Sequence, residues 1–382
     1  MTKIIVAGDY SPNNRVSQLI NERRAVEVLK NISQTVQKAD YAIVNFESVV
    51  ISSKSKKIVK AGPGMHCTCD AVPILKAAGF DAVTLANNHF GDYGNDGVSN
   101  SIRTFKENGL EYFGGGMNIN EANTTFVKDI AGTKVAFINV CEHEFSIATN
   151  TKAGSAPLDV IDVVQRITIS KKEAEYVIVI VHGGNEYFQL PTPRMKKTYR
   201  FFIECGATTV INHHQHCFSG YEVYRMRPIF YGLGNFCFDW NNKRNGIWNQ
   251  GYMVELKLNN GDIYFNLYPY EQCNERPIVK LLKGESMKSF NRRIIELNGI
   301  IADDKMLQAE YMKFCHKKKS TILSPFTPYM TSYARIATVH NILPKFIPKK
   351  KLTGLLNFID CESHRDVLLK ILNEKINKYN DR

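Results

Sequence analysis

Six residues with oxygen or nitrogen donors each follow an apolar run: Asp9 after residues 3–8, Glu47 after 41–44, Asn88 after 81–86, His182 after 176–181, and His214 and His216 after 208–211. Alternate residues on an extended segment point the same way. At a strand end, where the chain turns, His214-Gln215-His216 can bring two imidazoles onto one cation or onto two adjacent ones. The bland reading of His213-His214-Gln215-His216 by itself is a solvated polar loop. Carboxylate, carboxamide and imidazole donors with no thiolate among them suit manganese, iron or zinc, and together they suffice for two adjacent divalent ions. Two such ions suit in-line displacement at phosphorus, with a bridging hydroxide as nucleophile and both ions on the non-bridging oxygens. His89, next to Asn88, is placed to protonate the departing alkoxide, with Asp92 to orient it.

Strands alternating with helices must carry these groups. Helical spacing is read over 16–36, 71–78, 95–108, 158–174 and 193–205, between apolar strands. In an open α/β sheet ligands gather at the carboxyl ends of strands, so residues far apart in sequence can meet in one crevice. The same rule places Glu142 and His143, after the strand 134–140, at the substrate pocket, together with Glu186 and Tyr187 beyond His182 and with Asn235. Arg15, Arg194 and Arg225 are further candidates for substrate contact. Residues 52–60 read as a polar surface loop. Gly114-Gly115-Gly116 could set backbone amides near an anion, but it lacks the Lys-Ser/Thr of a P-loop and the spacing of a dinucleotide fingerprint. His66-Cys67-Thr68-Cys69 lacks the second half of a zinc motif.

Antiparallel-type strands follow at 220–224, 227–231 and 232–239, with a hairpin at 252–258 and 262–268, which predicts a second sheet stacked on the first. After about 275 the periodicity turns helical, at 284–298 and 304–317, with basic clusters at Lys317-Lys318-Lys319 and Pro348-Lys349-Lys350-Lys351. The expected organisation is a metal-site domain over 1–272 and a basic helical extension over 273–382. The stretch 342–358 mixes apolar residues with lysines and reads as a helix or loop docked on the core, or as an interfacial membrane segment.

A chain of 382 residues with 44% hydrophobic residues has the length and composition of a folded protein of two or three domains. Its net charge of +12, from 49 basic and 37 acidic residues, favours an anionic partner. A phosphorylated or acidic small molecule or polymer and an anionic membrane surface fit that charge, and nucleic acid is not the expected partner. No apolar run approaches the ~20 residues of a membrane span. Residues 1–7 show no signal-peptide pattern, and nine scattered cysteines suit reduced thiols, so a cytoplasmic location is expected, with peripheral contact at the inner membrane face through the basic helices.

Gly8-Asp9, Asn45-Phe46-Glu47, Leu85-Ala86-Asn87-Asn88-His89 with Gly91-Asp92-Tyr93-Gly94, His182-Gly183 with Glu186-Tyr187, His213-His214 with His216, and Pro228-Ile229 through Asp239 resemble, in order, the motifs of the CapA, or poly-γ-glutamate capsule synthesis, family of calcineurin-like metallophosphoesterases. The resemblance covers about residues 3–270. It implies a four-layer α/β/β/α sandwich of two mixed sheets, Asp9 and His216 on one metal, Asn88, His182 and His214 on the other, Glu47 bridging and His89 as the acid. His213 is left to the loop wall. Departures are Ser11 where the wider superfamily has a histidine, Glu47 in place of aspartate, Phe90 in place of an acid after His89, and Asn212 in place of a glycine. The implied function is a metal-dependent phosphoesterase in capsule or cell-surface polymer synthesis. Two alternatives are a metallohydrolase acting on amide bonds of an acidic polymer and a non-catalytic, metal-containing component of a synthesis assembly.

Overall fold

The computed structural model describes residues 1–60, 62–323 and 332–340, together with 342 and 359. The apolar runs form strands that are buried on both faces, as expected where helices or a second sheet cover each side. Tyr41–Phe46 and Tyr176–His182 are buried at every position. The first sheet has Thr2–Ser11 at its centre. This strand runs parallel to Tyr41–Phe46 on one side. On the other it pairs antiparallel with Gln250–Asn259 along its first half and parallel with Asn235–Phe238 along its second. Ala82–Thr84 and Glu111–Phe113 extend the sheet one way, and Asp262–Gln272 and Val279–Leu281 the other. The second sheet runs in the order Tyr221–Tyr224, Arg227–Phe230, Thr209–His213, Tyr176–His182, Thr133–Cys141, Phe126–Ile130.

Two mixed sheets were expected, but the chain distributes itself differently between them. The hairpin 250–272, expected in the second sheet, joins the first, because its strand Gln250–Asn259 covers the otherwise open edge of Thr2–Ser11. The stretch 16–36, expected as one helix, breaks into Arg15–Asn21 and Val26–Val36, with Arg23 in the left-handed region between them. Val26–Val36 packs with Pro73–Ala78 outside the first sheet, and Val160–Ser170, Pro193–Cys205 and Gly284–Ala302 pack on the second. The result is an α/β/β/α sandwich.

Polar side chains pin the sheets together close to the strand ends. Asn139 Oδ1, from the second sheet, accepts the Leu85 and Ala86 N–H groups at 3.2 and 2.8 Å, and its Nδ2 donates to Ile180 O. This explains the first residue of the triglycine: a Cβ on Gly114 would lie 1.9 Å from Asn139 Oδ1. Gly115–Gly116 is a short strand paired with Gly154–Ser155.

The compact unit runs from Met1 to Ala309, past the expected boundary at 272. Val279–Leu281 is a strand of the first sheet, and Gly284–Ala302 docks through Phe290 on Phe218 and through Asn298 on the Tyr221 N–H. A second unit, Glu310–Arg382, holds the rest of the helix Asp304–Leu323 and the helix Ser332–Val339 among the described residues. Lys349, Lys350, Lys351 and nearly all of 342–358 lie outside the described residues. Among the described residues no helix is long and apolar enough to cross a membrane.

Candidate metal centre

Glu47 follows directly on its strand and is fully buried, yet neither carboxylate oxygen has a hydrogen-bond partner among the described residues. Its Oε1 lies 3.8 Å from His182 Nε2, 3.8 Å from His216 Nε2 and 4.0 Å from His89 Nε2. His182 Nε2 is 3.1 Å from Asn88 Oδ1 and 3.1 Å from His214 Nδ1. The unpartnered Glu47 carboxylate thus faces three imidazole nitrogens across a dry space, which is unfavourable unless a cation lies between them. Two groups of ligand atoms gather within 4.8 Å, Glu47 with His182 and His214, and Asp9 with Glu47 and His216, so Glu47 is common to both. These donors fit divalent ions of the manganese, iron or zinc type.

The electrostatics agree. Burial, then the negative charges of Asp9, Glu186, Glu144 and Asp92, push the Glu47 carboxyl well above its usual range. Burial, then the imidazoles of His214, His213, His216 and His89, push His182 well below its own. His216 is lowered too, chiefly by burial. Burial thus disfavours both the negative charge of Glu47 and a second proton on His182 or His216.

The backbone aims the ligands. A Cβ on Gly8 would lie 1.9 Å from Gly234 O, and the tight approach lets the Asp9 N–H donate to that same oxygen. Asn45 Nδ2 donates to Asp9 Oδ1 at 2.7 Å and lies 3.3 Å from His182 Nδ1, joining the ligands of the two sheets. Burial raises the Asp9 carboxyl, but His213, His216 and Asn45 outweigh it and hold the carboxyl below its usual value. His214 and His216 both take positive φ, 88° and 54°, which turns two alternate imidazoles toward Glu47. Such conformations cost of order 1–3 kcal/mol each and persist where the surroundings over-determine them. One such restraint is Asn235, whose Oδ1 lies 2.9 Å from His216 Nδ1 and leaves Nε2 facing Glu47.

On the opposite side His89 Nδ1 lies 2.8 Å from Asp92 Oδ2, which also accepts the Met65 N–H at 2.8 Å. Lys60 pairs with the other Asp92 oxygen, and its Nζ is 3.1 Å from His89 Nδ1. The Lys60 side chain is only 2% exposed, so the segment 52–60, expected as a surface loop, ends by burying a cation behind the candidate acid. The reason is Asp92: its buried carboxylate attracts a counter-charge that strand-and-helix patterning does not reveal. Burial depresses the His89 pKa, against the opposing pull of Asp92.

Of the pocket residues, Glu142 accepts the Gly184 N–H at 3.0 Å and pairs with Arg194. His143 is exposed on the same loop, and Glu186 is exposed beyond His182. Tyr187, in the left-handed region, stacks on Trp248 at 5.9 Å, with Lys243 Nζ 4.5 Å from its ring centre. Asn235, expected to touch substrate, is fully buried behind His216, where it orients a ligand. Arg15 is held by Asp239 and by three backbone carbonyls, and Arg225 pairs with Glu204, so their charges serve local structure. Two residues of the site escaped sequence reasoning. Glu144 lies 3.4 Å from Asn88 Nδ2 and 3.7 Å from His214 Nε2, and the strand-end rule that selected Glu142 could have found it. Lys60 carried no such signal. His66, Cys67 and Cys69 form no ligand group among the described residues.

The family model of the bacterial capsule synthesis protein PGA_cap matches residues 3–240. The chain belongs to this family. It is 29% identical over 290 residues to the capsule biosynthesis protein CapA of Bacillus anthracis, covering 72% of this chain and 69% of that protein. It is 28% identical over 287 residues to the PGA biosynthesis protein CapA of Bacillus subtilis (strain 168), covering 74% of each. Among solved structures, a 5'-nucleotidase precursor from Thermus thermophilus aligns with a TM-score of 0.41 at 10% identity, over 78% of this chain and 59% of that one. All the ligand candidates, and His89 with Asp92, fall inside the matched segment.

Proposed function

We propose that this protein is a metal-dependent phosphoesterase acting in the synthesis of capsule or a related cell-surface polymer. The observation that carries the reading is Glu47, a buried carboxylate with two unpartnered oxygens, set between two ligand groups and facing His89. Asp9, Glu47 and His216 would hold one divalent ion and Glu47, Asn88, His182 and His214 a second, together supplying Lewis acidity at phosphorus and a nucleophile at neutral pH. The chain itself supplies the acid. Asp92 holds the ring of His89 through Nδ1, so that Nε2 faces the site and can carry a proton to the departing oxygen. Glu142, His143, Glu186 and Tyr187 stand on the loops around the site and are proposed to contact the substrate, a phosphorylated or otherwise anionic molecule. Peripheral binding to an anionic membrane through the basic C-terminal segment belongs to the same proposal.

The amide-bond reading draws on the name of the Bacillus subtilis relative, a PGA biosynthesis protein. A single panel separates the readings. Full-length protein loaded with manganese is offered a chromogenic phosphodiester, a phosphomonoester and γ-glutamyl peptides. Hydrolysis of a phosphate ester, lost in His89→Ala with metal content unchanged, is the expected result. Cleavage of the peptides alone supports the amide reading, and full metal content with no turnover of any substrate supports the non-catalytic one. Sedimentation with anionic but not neutral vesicles is expected, and its absence would remove the membrane proposal.

A further inference from the structure

His213 is the last residue of Thr209–His213 and is 2% exposed, yet neither of its ring nitrogens has a hydrogen-bond partner among the described residues. An imidazole carries at least one N–H, and leaving such a donor buried and unsatisfied costs about 1–3 kcal/mol. The group it meets is Asp9: His213 Nδ1 lies 3.3 Å from Asp9 Oδ1, close enough to pair but not aligned as a hydrogen bond. Asp9 belongs to the ligand group that contains one imidazole, whereas the other group contains two. His213 itself is in neither group.

We propose that His213 is a positioning residue of the ion site at Asp9, its Nδ1–H completing a hydrogen bond to the Asp9 carboxylate when that carboxylate engages a divalent cation. The proposal rests on the two-ion reading above. A hydrogen-bonded carboxylate is held in the orientation its ion requires, and outer partners of this kind typically change metal affinity 10–100-fold. The same contact explains why a histidine occupies the strand's end, where the sequence offered only a loop wall. It also makes the two ion sites unequal in what sustains them. Asn45 and His213 support Asp9, and Asn235 supports His216.

The test counts and ranks bound ions rather than measuring turnover. Metal-stripped full-length protein is titrated with manganese by calorimetry and its ion content measured after gel filtration, for wild type, Asp9→Asn, His213→Ala and His213→Gln. Wild type should show two binding events, one of them weakened in Asp9→Asn. His213→Ala should weaken that same event at least tenfold and leave the other unchanged, and His213→Gln, whose amide can donate, should recover most of the loss. Wild-type affinity for both ions in His213→Ala would overturn the proposal, as would equal weakening of both events in the Gln variant. If His213→Ala fails to fold, His213→Gln decides: near-wild-type affinity supports the proposal and a tenfold loss overturns it. If wild type takes one ion and Asp9→Asn leaves it unaltered, the two-ion reading fails and this proposal falls with it.

Discussion

Two halves of the site face each other across Glu47 and are built on opposite plans. Around Glu47 the carboxylate has no hydrogen-bond partner among the described residues, and the imidazoles of His182 and His216 stand 3.8 Å from it. Around Asp92 the charges are matched: His89 and the Met65 N–H meet one oxygen and Lys60 forms an ion pair with the other. The first half has no cation of its own among the described residues; the second has Lys60. Buried charge is tolerated only when paired, and the chain carries its own cation for Asp92 but not for Glu47. A site in which Asp92 is paired as folded and the pocket around Glu47 is left open is suited to completion by bound ions.

This contrast can be broken or sharpened by measurement. The largest effect is expected for His89→Ala, which should lower kcat on a phosphate ester by about 10²- to 10⁴-fold while leaving ion content unchanged. Loss of metal in that variant would mean that the two halves are not separable. Asp92→Ala should next cost about 3–5 kcal/mol of folding stability in urea, with or without metal, because Lys60 stays buried without its partner. A variant as stable as wild type would show that Lys60 escapes to solvent.

Glu47→Gln should behave in the opposite way. In metal-free protein it should leave the midpoint of unfolding unchanged or raised, since it removes an unpaired buried carboxylate. Wild type should gain about 2.7 kcal/mol from manganese at a hundred times its Kd, and Glu47→Gln should lose most of that gain. A large destabilisation of the metal-free variant would show that Glu47 is satisfied without an ion.

The smallest effect concerns pH. His182 and His216 have folded-state pKa values below their ordinary one, so as pH falls through about 6.5 the unfolded chain takes up protons that the folded pocket refuses. Stability of the metal-free protein should therefore fall as pH drops from 7 to 5.5. Glu47, with its pKa raised, works against this, because the folded state binds its proton first. The imidazole of His89 is lowered as well, so three imidazoles stand against one carboxyl, and the net loss should be roughly 1 kcal/mol per pH unit, and steeper in Glu47→Gln. Denaturant midpoints measured across that range would reveal a flat or inverted dependence.

Much was legible without the fold, and the reason is local. Asp9, Glu47, Asn88, His182, His214 and His216 each stand just beyond an apolar run, and strand periodicity with its abrupt end is written in consecutive residues. His89 reads as the candidate acid because it stands next to Asn88, and Asp92 as the residue that orients it. The path of the hairpin 250–272 was not legible, because its alternating pattern fits either sheet and only the open edge of Thr2–Ser11 selects one. Nor was the extent of the compact unit, since Val279–Leu281 and Gly284–Ala302 read as the start of an appendage until their partners are known.

What the sequence alone determined is the set of strand-end donors, because residue identity and strand termination are properties of short stretches. The tertiary structure alone decided which partners surround them. It brought Lys60 beneath His89, set Asn235 behind His216, and left His213 facing Asp9 with neither nitrogen bonded. Each of these contacts joins residues that sequence pattern does not link, and the burial that gives them their energetic weight exists only once both sheets have closed over the site.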